Sequence, residues 1–197
     1  MSKKLDFKIE LTFFVLLKGV KKMRSGWKPK GELEHLLSAL MPENRLALEL
    51  SLITGLRIND VLSLKPEQVK KQRFTIREEK TGKTKKVYIP KEYVERCIAT
   101  AGQHYVFEHR LNGNEHRTRQ AVFKDLKRVC RLFRIKENIS PHTMRKAYAV
   151  EEFKRNGDLK KVQKLLNHTN EAVTMVYAFA DILEKRKHFK NTKSRKI

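Results

Sequence analysis

Cysteine and long apolar runs are scarce in this sequence of 197 residues. Its two cysteines, Cys97 and Cys130, lie far apart and outside the C-x-x-C spacing of metal and redox motifs. We therefore expect two reduced thiols in a cytoplasmic protein. The one long apolar run, residues 11–17, is far shorter than the ~20 residues that cross a bilayer. Lysines follow it without a small-residue cleavage site, so we expect neither a membrane anchor nor a signal peptide.

Sequence patterns for metal-dependent and ATP-dependent chemistry are also missing. No cluster of aspartates and glutamates suggests a two-metal nuclease, and no glycine-rich phosphate loop suggests ATP binding. His104, His109 and His116 lack the partners that a convincing zinc site needs. The sequence therefore predicts chemistry that needs no metal ion and no cofactor.

Basic side chains are what the sequence has in excess. Lysine and arginine number 45 against 22 aspartates and glutamates, which gives a formal net charge of +23. The excess appears in residues 1–30 and again in residues 109–136, so it is not confined to one tail. A charge of this size indicates a polyanionic partner, and we expect nucleic acid. The 40% of hydrophobic residues supplies enough material for the core of one domain.

Hydrophobic periodicity indicates a chain built mainly from helices, with two strands around a turn at residues 80–83. Gly55 is predicted to end a helix, and the N-terminal residues 1–29 fit a strand or a helix equally well. In one long basic helix, four apolar side chains are predicted to share a face: Val122, Leu126, Val129 and Phe133. The predicted helices cover residues 32–40, 43–53, 57–64, 91–101, 117–133 and 179–189, with three more between residues 140 and 177, one of them at 160–166. The predicted strands cover residues 73–78 and 85–90.

One helix start is well suited to binding an anion. Ser140 is a good N-cap residue, and Pro141 fits the first position of a helix. The free N–H groups and positive dipole end of such a helix attract anions such as phosphate. His142 and Arg145 lie three residues apart in its first turns, on one face of the helix. The sequence therefore predicts a phosphate site at this point.

A second histidine and a tyrosine follow in the same part of the chain. Asn167 can end the preceding helix, and Thr169 or Asn170 can begin the next, which puts His168 at a corner between helices. Tyr177 comes nine residues later. A phosphate site, a histidine and a tyrosine together indicate phosphoryl transfer with the tyrosine as nucleophile. The other tyrosines are expected to pack in the core: Tyr88, Tyr93, Tyr105 and Tyr148.

Five segments carry a resemblance to a known family. They are Thr-Gly-Leu-Arg-Ile-Asn-Asp-Val-Leu-Ser-Leu at 54–64, Lys-Thr-Gly at 80–82, His-x-x-Arg at 142–145, Leu-Leu-Asn-His at 165–168 and a tyrosine at 177. In order and spacing they resemble the tyrosine recombinase (phage integrase) family, over about residues 30–177. The resemblance implies an α+β fold like the family's catalytic domain, mainly α with a small antiparallel β-sheet.

The resemblance also implies a role for each matching side chain. Arg57 and Arg145 would grip the two non-bridging oxygens of one DNA phosphate and neutralise the charge of the transition state. Tyr177 would attack that phosphate and form a 3′-phosphotyrosyl bond. His142 and His168 would hydrogen-bond the phosphate or tune the tyrosine. The remaining histidines are interpreted as ordinary surface or core residues.

Two further residues come from the same resemblance. Lys80, at the tip of the predicted hairpin, would be the general acid that protonates the departing 5′-oxygen. Lys83 lies nearby and is the alternative donor, and a solvated basic hairpin without a catalytic role is also open. Asp60 follows Arg57 by three residues and would brace an arginine by a salt bridge, although a plain helix N-cap fits equally well.

The chain divides into three predicted parts. Residues 1–29 form a short basic segment, residues 30–178 the catalytic domain, and residues 179–197 a C-terminal helix with a basic tail. The first part is too short for the helical DNA-clamping domain that precedes the catalytic domain in most relatives, so we expect that domain to be missing. An apolar stripe on the last part fits docking on its own domain or on a neighbouring subunit.

The function that these features predict is site-specific DNA recombination. The protein would cleave and rejoin double-stranded DNA without metal or ATP, and the resemblance implies a homo-tetramer on two DNA sites. It would act in the cytoplasm, at the nucleoid, and not at a membrane. The alternative is a recombinase-like DNA-binding regulator or accessory protein without strand exchange. Only the first of these forms a covalent bond with DNA.

Overall fold

A computed structural model describes residues 25–168 and 171–180 of the chain. The expectations for residues 1–24, for the capping pair 169–170 and for residues 181–197 lie outside the described residues. In the part that is described, the chain forms a mainly helical domain with one β-hairpin. Its elements are α1 (Lys30–Ser38), α2 (Pro42–Thr54), α3 (Ile58–Leu62), α4 (Pro66–Lys70), β1 (Arg73–Arg77), β2 (Thr84–Tyr88), α5 (Lys91–Thr100), α6 (Arg119–Leu132), α7 (Pro141–Asn156), α8 (Leu159–Leu165) and α9 (Glu171–Ala178).

The sheet is a two-stranded antiparallel hairpin, which confirms the predicted fold class. Arg73 pairs with Tyr88 and Arg77 pairs with Thr84, so the strands are in register along their whole length. The turn at its tip closes through the N–H of Gly82, which donates to the carbonyl of Glu78 at 2.8 Å. The segment that carries Lys80 is therefore a short loop between two paired strands.

The core surrounds α2, which packs against α7, α1 and α5. Side chains on several faces of this helix are fully buried, among them Leu46, Ala47 and Leu50. Burial of each large apolar side chain contributes ~1.5–3 kcal/mol, so packing holds α2 and α7, and the residues at their ends, in fixed positions. Those ends carry Arg57 and His142, the first two side chains of the predicted site.

Several local predictions are confirmed. Gly55 ends α2 in the left-handed conformation, with a φ of 66°. Pro141 begins α7 after the N-cap residue Ser140, whose N–H donates to the Thr143 hydroxyl at 3.1 Å. Asn167 follows α8 with a φ of 50°, as expected for a residue that stops a helix.

Two predictions of burial are wrong. Phe133 was expected on the buried face of α6, but the helix ends at Leu132, so Phe133 leaves the helical period and remains 39% exposed. Tyr88 was expected in the core, but it takes an outward position of β2 and is 52% exposed beneath the guanidinium of Arg73. Strand alternation assigns the inward face of β2 to its neighbours instead.

Helix α4 was not predicted as an element of its own. Pro66 occupies its first turn, and the N–H of Lys65 donates to the Gln68 side chain at 3.0 Å.

Both cysteines, Cys97 and Cys130, are buried free thiols, as expected. Over residues 25–168 and 171–180, no helix has the length and apolar character to span a bilayer.

Candidate active site

The turn that carries Arg57 is shaped by the end of α2. The N–H of Gly55 donates to the carbonyl of Ser51 at 3.0 Å, and the left-handed φ of the glycine redirects the chain. A side chain at this position would meet the ring of Tyr148, because an added Cβ would lie 2.4 Å from its nearest carbon. Arg57 then takes the N-cap position of α3. Glycine is therefore required here both by conformation and by space.

Each carbonyl of this turn accepts a hydrogen bond from a distant or neighbouring side chain. The buried ammonium of Lys85 donates to the carbonyl of Thr54 at 2.9 Å. Arg145 donates from NH1 to the carbonyl of Gly55 at 2.6 Å, and the Ser51 hydroxyl donates to that of Leu56 at 2.7 Å. These three hydrogen bonds immobilise the backbone of the turn, and Arg57 is therefore held in a defined place.

Arg145 joins this turn to the end of α8. Its side chain is almost completely buried, and its NH2 group donates to the carbonyl of Leu166. Burial, together with the nearby charge of Arg57, lowers the pKa of Arg145 to about 10. The group still carries its charge at neutral pH. A buried and charged guanidinium beside a second one is a strong binding site for an anion.

Arg57 lies between two buried carboxylates. Its NH1 group contacts Glu78 Oε2 at 2.6 Å and lies 3.9 Å from Asp60 Oδ2. Asp60 also accepts the backbone N–H of Glu79 at 3.0 Å, which ties α3 to the hairpin. Burial raises the pKa of the Asp60 carboxyl, and the charge of Glu78 adds to this effect. Asp60 is thus beside Arg57, while the N-cap position belongs to Arg57 itself.

An open cleft of about 720 Å³ brings four of the predicted residues together. Arg57 from the turn, Lys80 from the hairpin tip, and His142 and Arg145 from α7 all line it. Burial and the charges of Arg145, Lys146, Lys80 and Arg57 lower the pKa of His142, so it is neutral at physiological pH. The remaining lining residues are Ile58, Asn59, Asp60, Glu79, Arg119, Gln120, Phe123, Ser140 and Pro141.

His168 and Tyr177 lie next to each other, and neither is among the residues that line the cleft. Their rings meet edge to face, with centroids 5.1 Å apart, and the Thr174 hydroxyl is 3.1 Å from His168 Nδ1. Burial lowers the pKa of His168 to about 3, with Arg145 adding to the effect. Burial raises the pKa of Tyr177, while the charges of Arg145 and Arg57 act in the opposite direction. The phenol is therefore protonated at neutral pH, close to two cations.

Lys146 is a further cation near the tyrosine. It follows Arg145 in α7 and is almost completely buried. Its ammonium lies 5.7 Å from the centre of the Tyr177 ring and donates to the carbonyl of Ser25. The segment around Ser25 therefore reaches the side of the domain that carries Tyr177, and Trp27 in this segment packs near Val150 and Ala180.

The structure shows two charged residues near the site that the sequence analysis did not select, Glu78 and Lys85. In the hairpin, alternation puts Ile76 and Glu78 on the inward side of one strand and Lys85 and Val87 on that of the other. A charged residue at an inward position of an otherwise apolar strand face was the available signal. Neither residue belongs to the motifs on which the resemblance rests.

Lys85 makes the stability of the fold depend on pH in a defined window. Burial lowers its pKa from 10.5 to about 7, with the charge of Arg145 as the next cause. Between these values the unfolded chain binds a proton that the folded protein does not, so stability rises with pH through this window. Below the folded value both states are protonated, and the dependence ends. Relative to Lys85→Met, the wild type should gain up to about 1.4 kcal/mol per pH unit between about pH 7.5 and 9.

Urea unfolding of the two proteins at several pH values measures this difference. The matched control is Lys86→Met, which removes the exposed lysine next in the strand. Its unfolding free energy should follow that of the wild type at every pH. Parallel pH profiles for the wild type and Lys85→Met would show that Lys85 stays protonated in the folded protein.

No group of three or more histidine, cysteine, aspartate or glutamate side chains is arranged to hold a metal ion within the described ranges. At the cleft, three arginines, a lysine and the start of α7 outweigh the carboxyl groups of Asp60 and Glu79, which suits an anion. This arrangement can bind a phosphodiester, and the Tyr177 phenol is close enough to Arg145 and Arg57 to interact with their charges.

Sequence comparisons find relatives that are named as tyrosine recombinases. A tyrosine recombinase of Thermosipho africanus is 31% identical over 159 residues, which are 74% of this chain and 54% of that protein. The tyrosine recombinase XerA of Pyrococcus furiosus is 31% identical over 144 residues, which are 68% of this chain and 49% of that protein. The chain thus spans about half the length of these curated relatives.

Solved structures with the same fold come from this group of proteins. A lambda integrase dimer bound to a COC′ core site superposes with a TM-score of 0.67 at 20% identity, over 81% of this chain and 49% of that one. The catalytic domain of the bacteriophage HP1 integrase gives 0.60 at 18% identity, over 79% and 88%. The described domain therefore has the fold of a tyrosine recombinase catalytic domain.

The family assignment agrees with the geometry of the cleft. The model of the phage integrase family matches residues 29–182, a range that contains the turn, the hairpin, α7 and the segment up to Tyr177. This range is most of the sequence and includes every residue predicted for the site. On this match, the chain belongs to the phage integrase family.

Proposed function

We propose that the protein is a site-specific DNA recombinase that cleaves and rejoins DNA through a 3′-phosphotyrosyl intermediate. The observation that carries the proposal is the cleft in which Arg57, Lys80, His142 and Arg145 meet, with Tyr177 beside Arg145. Four donors of positive charge or hydrogen bonds around one space suit a phosphodiester, and the tyrosine supplies a nucleophile. The relatives' names supply the reaction class.

In this mechanism the two arginines bind the non-bridging oxygens of the scissile phosphate. Arg145 is held by backbone carbonyls and Arg57 by Glu78, so neither needs to reorganise when charge builds up. The Tyr177 oxygen attacks phosphorus, and the bond to the 5′-oxygen breaks. The phenol gives its proton to solvent water, and Lys80 gives a proton to the departing 5′-oxygen. A 5′-hydroxyl of a partner strand then attacks the phosphotyrosine and releases the enzyme.

Helix α6 supports binding of a long DNA duplex beside the cleft. Its Arg119 and Phe123 line the cleft, and other exposed basic residues continue along the helix. Basic side chains along one surface bind DNA phosphates with a strong dependence on salt concentration. These exposed residues are Arg119, Lys124, Arg128 and Arg131, of which Arg128 is paired with Asp125 at 2.8 Å.

Recombination needs more than one copy of the protein. We assign the catalytic domain to residues 30–178, with residues 1–29 and 179–197 as flanking segments. The lambda integrase with the same fold was solved as a dimer on DNA, and the proposed assembly here is a homo-oligomer that forms a tetramer on two sites. The reaction would take place in the cytoplasm, on DNA of the nucleoid.

Covalent trapping tests the proposal directly. The full chain is incubated with a pool of nicked duplexes of random sequence, in excess EDTA and without ATP, because no metal or nucleotide takes part in the mechanism. We expect a DNA adduct that survives denaturant and disappears on protease treatment. Strand cleavage that requires magnesium would contradict the mechanism. Binding without any adduct would instead support the alternative, a regulator or accessory protein that occupies DNA without cleaving it.

The role of Lys80 has a test of its own. If its ammonium protonates the leaving oxygen, Lys80→Ala should slow cleavage of ordinary DNA by ~10²-fold or more. A substrate with sulfur at the 5′-bridging position should restore most of the rate, because a thiolate leaves without a proton. The measurement is the rate of adduct formation on both substrates. Equal losses on the two would move the acid elsewhere, and Lys83→Ala would then be examined in the same way.

A further inference from the structure

Glu78 occupies an unusual position for a carboxylate. Its side chain is 0% exposed, although its neighbours Arg77 and Glu79 are exposed. It continues the inward face of β1 beyond Ile76, where an apolar side chain would cost nothing to bury. Burying a charge is unfavourable unless partners compensate for it. The contacts of this carboxylate therefore indicate what it does.

One oxygen of Glu78 accepts two hydrogen bonds from different parts of the site. Oε2 accepts from Arg57 NH1 at 2.6 Å and from the Thr81 hydroxyl at 2.7 Å. The backbone of the same residue closes the hairpin tip, because its N–H donates to Lys83 at 2.9 Å and its carbonyl accepts from Gly82 at 2.8 Å. The tip that carries Lys80 is thus fastened at Glu78.

The carboxylate is ionised in this position. Burial alone raises the pKa of Glu78, but the hydrogen bonds from Thr81 and Arg57 and the charge of Arg57 outweigh it, so the pKa lies below its usual value. Oε1, the other oxygen, is buried and has no hydrogen-bond partner within the described residues. If Arg57 moved away, a buried charge would lose its main partner. Glu78 therefore holds the guanidinium firmly in one orientation.

We infer that Glu78 is a positioning residue that aligns the proton donor with the phosphate-binding arginine. Through Oε2 it fixes Arg57, and through Thr81 it fixes the loop that carries Lys80. Only one of the two Arg57 amino groups is engaged by it, which leaves other N–H groups for a phosphate oxygen. The inference rests on the proposed function for its catalytic part, since Lys80 matters only if a leaving group has to be protonated.

Two variants distinguish the contact of Glu78 with Arg57 from its contact with Thr81. Thr81→Val keeps the shape of the side chain and the pair of Glu78 with Arg57. It removes the hydroxyl's bond to Glu78 and its longer 3.4 Å contact with the N–H of Lys83. Glu78→Gln removes the charge and weakens both bonds. The control is Glu92→Gln, which removes an equal charge from an exposed position of α5. Each protein is assayed for adduct formation on ordinary DNA and on the 5′-bridging sulfur substrate.

The ratio of the two rates distinguishes positioning from general damage. Thr81→Val should slow cleavage of ordinary DNA by ~10-fold and leave the sulfur substrate within ~2-fold of wild type. Glu78→Gln should lose ~10-fold on sulfur, through Arg57, and ~100-fold on ordinary DNA. Glu92→Gln should match wild type on both. Equal losses on the two substrates in both variants, or no loss in either, would overturn the inference, because a structural defect alone does not respond to the leaving group.

Hydrogen exchange tests the link without relying on activity. In the DNA-free protein, the amide of Gly82 is bonded to Glu78, so loosening the tip should raise its exchange rate by ~10-fold in both variants. Unchanged exchange would show that the tie does not hold the loop, and would overturn the inference even if cleavage were slow. If wild type formed no adduct, the proposed function and the catalytic role of Glu78 would both be wrong. The hydrogen-exchange rate of Gly82 would still show whether Glu78 holds the hairpin tip.

Discussion

Tyr177→Phe is expected to form no detectable covalent complex with DNA while it binds DNA within about twofold of wild type. The substitution removes one oxygen, the atom that is proposed to attack phosphorus, and leaves the ring in place. The ring packs near Ala149, Val162 and Leu166 and against the edge of His168. Within the described residues the hydroxyl has no hydrogen bond that its loss would break. We therefore expect the fold to be nearly unchanged, as measured by thermal unfolding.

The matched control is Tyr88→Phe, which removes the same oxygen from an exposed ring on the hairpin. This variant should form the adduct at the wild-type rate. The assay is denaturing electrophoresis of protein trapped on nicked DNA, with binding measured in parallel by fluorescence anisotropy. An adduct that persists in Tyr177→Phe would show that another residue is the nucleophile.

The groups around the Tyr177 phenol in the DNA-free protein determine how easily it can lose its proton. Its pKa is raised by burial, so the proton must leave during the attack, and Arg145 and Arg57 favour that loss. His168 is neutral, with a pKa of about 3, and its ring lies against Tyr177. A histidine that is neutral can accept a hydrogen bond from the phenol. A bound phosphate would bring negative charge close to it, which favours protonation of the ring.

Features with a local cause could be predicted from the sequence. Gly55 ends α2 because only glycine adopts a left-handed conformation easily, and Pro141 begins α7 because a missing N–H is harmless there. The hairpin follows from two short strands around a turn. Arg57, Lys80 and His142 could be found because they lie in short motifs with family-like spacing. The structure adds that they line one cleft.

Features that depend on distant partners could not be predicted in the same way. Glu78 is an ordinary charged residue in the sequence, and its burial makes sense only once Arg57 is known to face it. Lys85 likewise needs the carbonyl of Thr54, which lies 31 positions earlier in the chain. Phe133 fits the period of α6, but the helix ends one residue too soon. In each case the deciding contact lies outside the window in which a pattern can be recognised.

Gly55→Ala is expected to destabilise the fold strongly. Gly55 has a φ of 66°, and an alanine in the left-handed region costs about 1–2 kcal/mol. Its Cβ would also lie 2.4 and 2.6 Å from two carbons of the Tyr148 ring, so the ring or the turn must move. Overpacking of this kind adds about 1–3 kcal/mol. The free energy of unfolding should therefore fall by about 2–5 kcal/mol in urea titrations.

Gly157→Ala separates the two causes, because Gly157 ends α7 with a φ of 65° and no atom within 4 Å of an added Cβ. It should lose only the conformational part, about 1–2 kcal/mol, and keep full cleavage activity. Gly55→Ala should also lose cleavage by ~10²-fold, because the turn that shifts carries Arg57 and accepts the bond from Arg145. Equal losses of stability in the two variants would mean that Tyr148 yields freely. In that case the turn would not be held by packing against Tyr148, and the placement of Arg57 would depend on its hydrogen bonds alone.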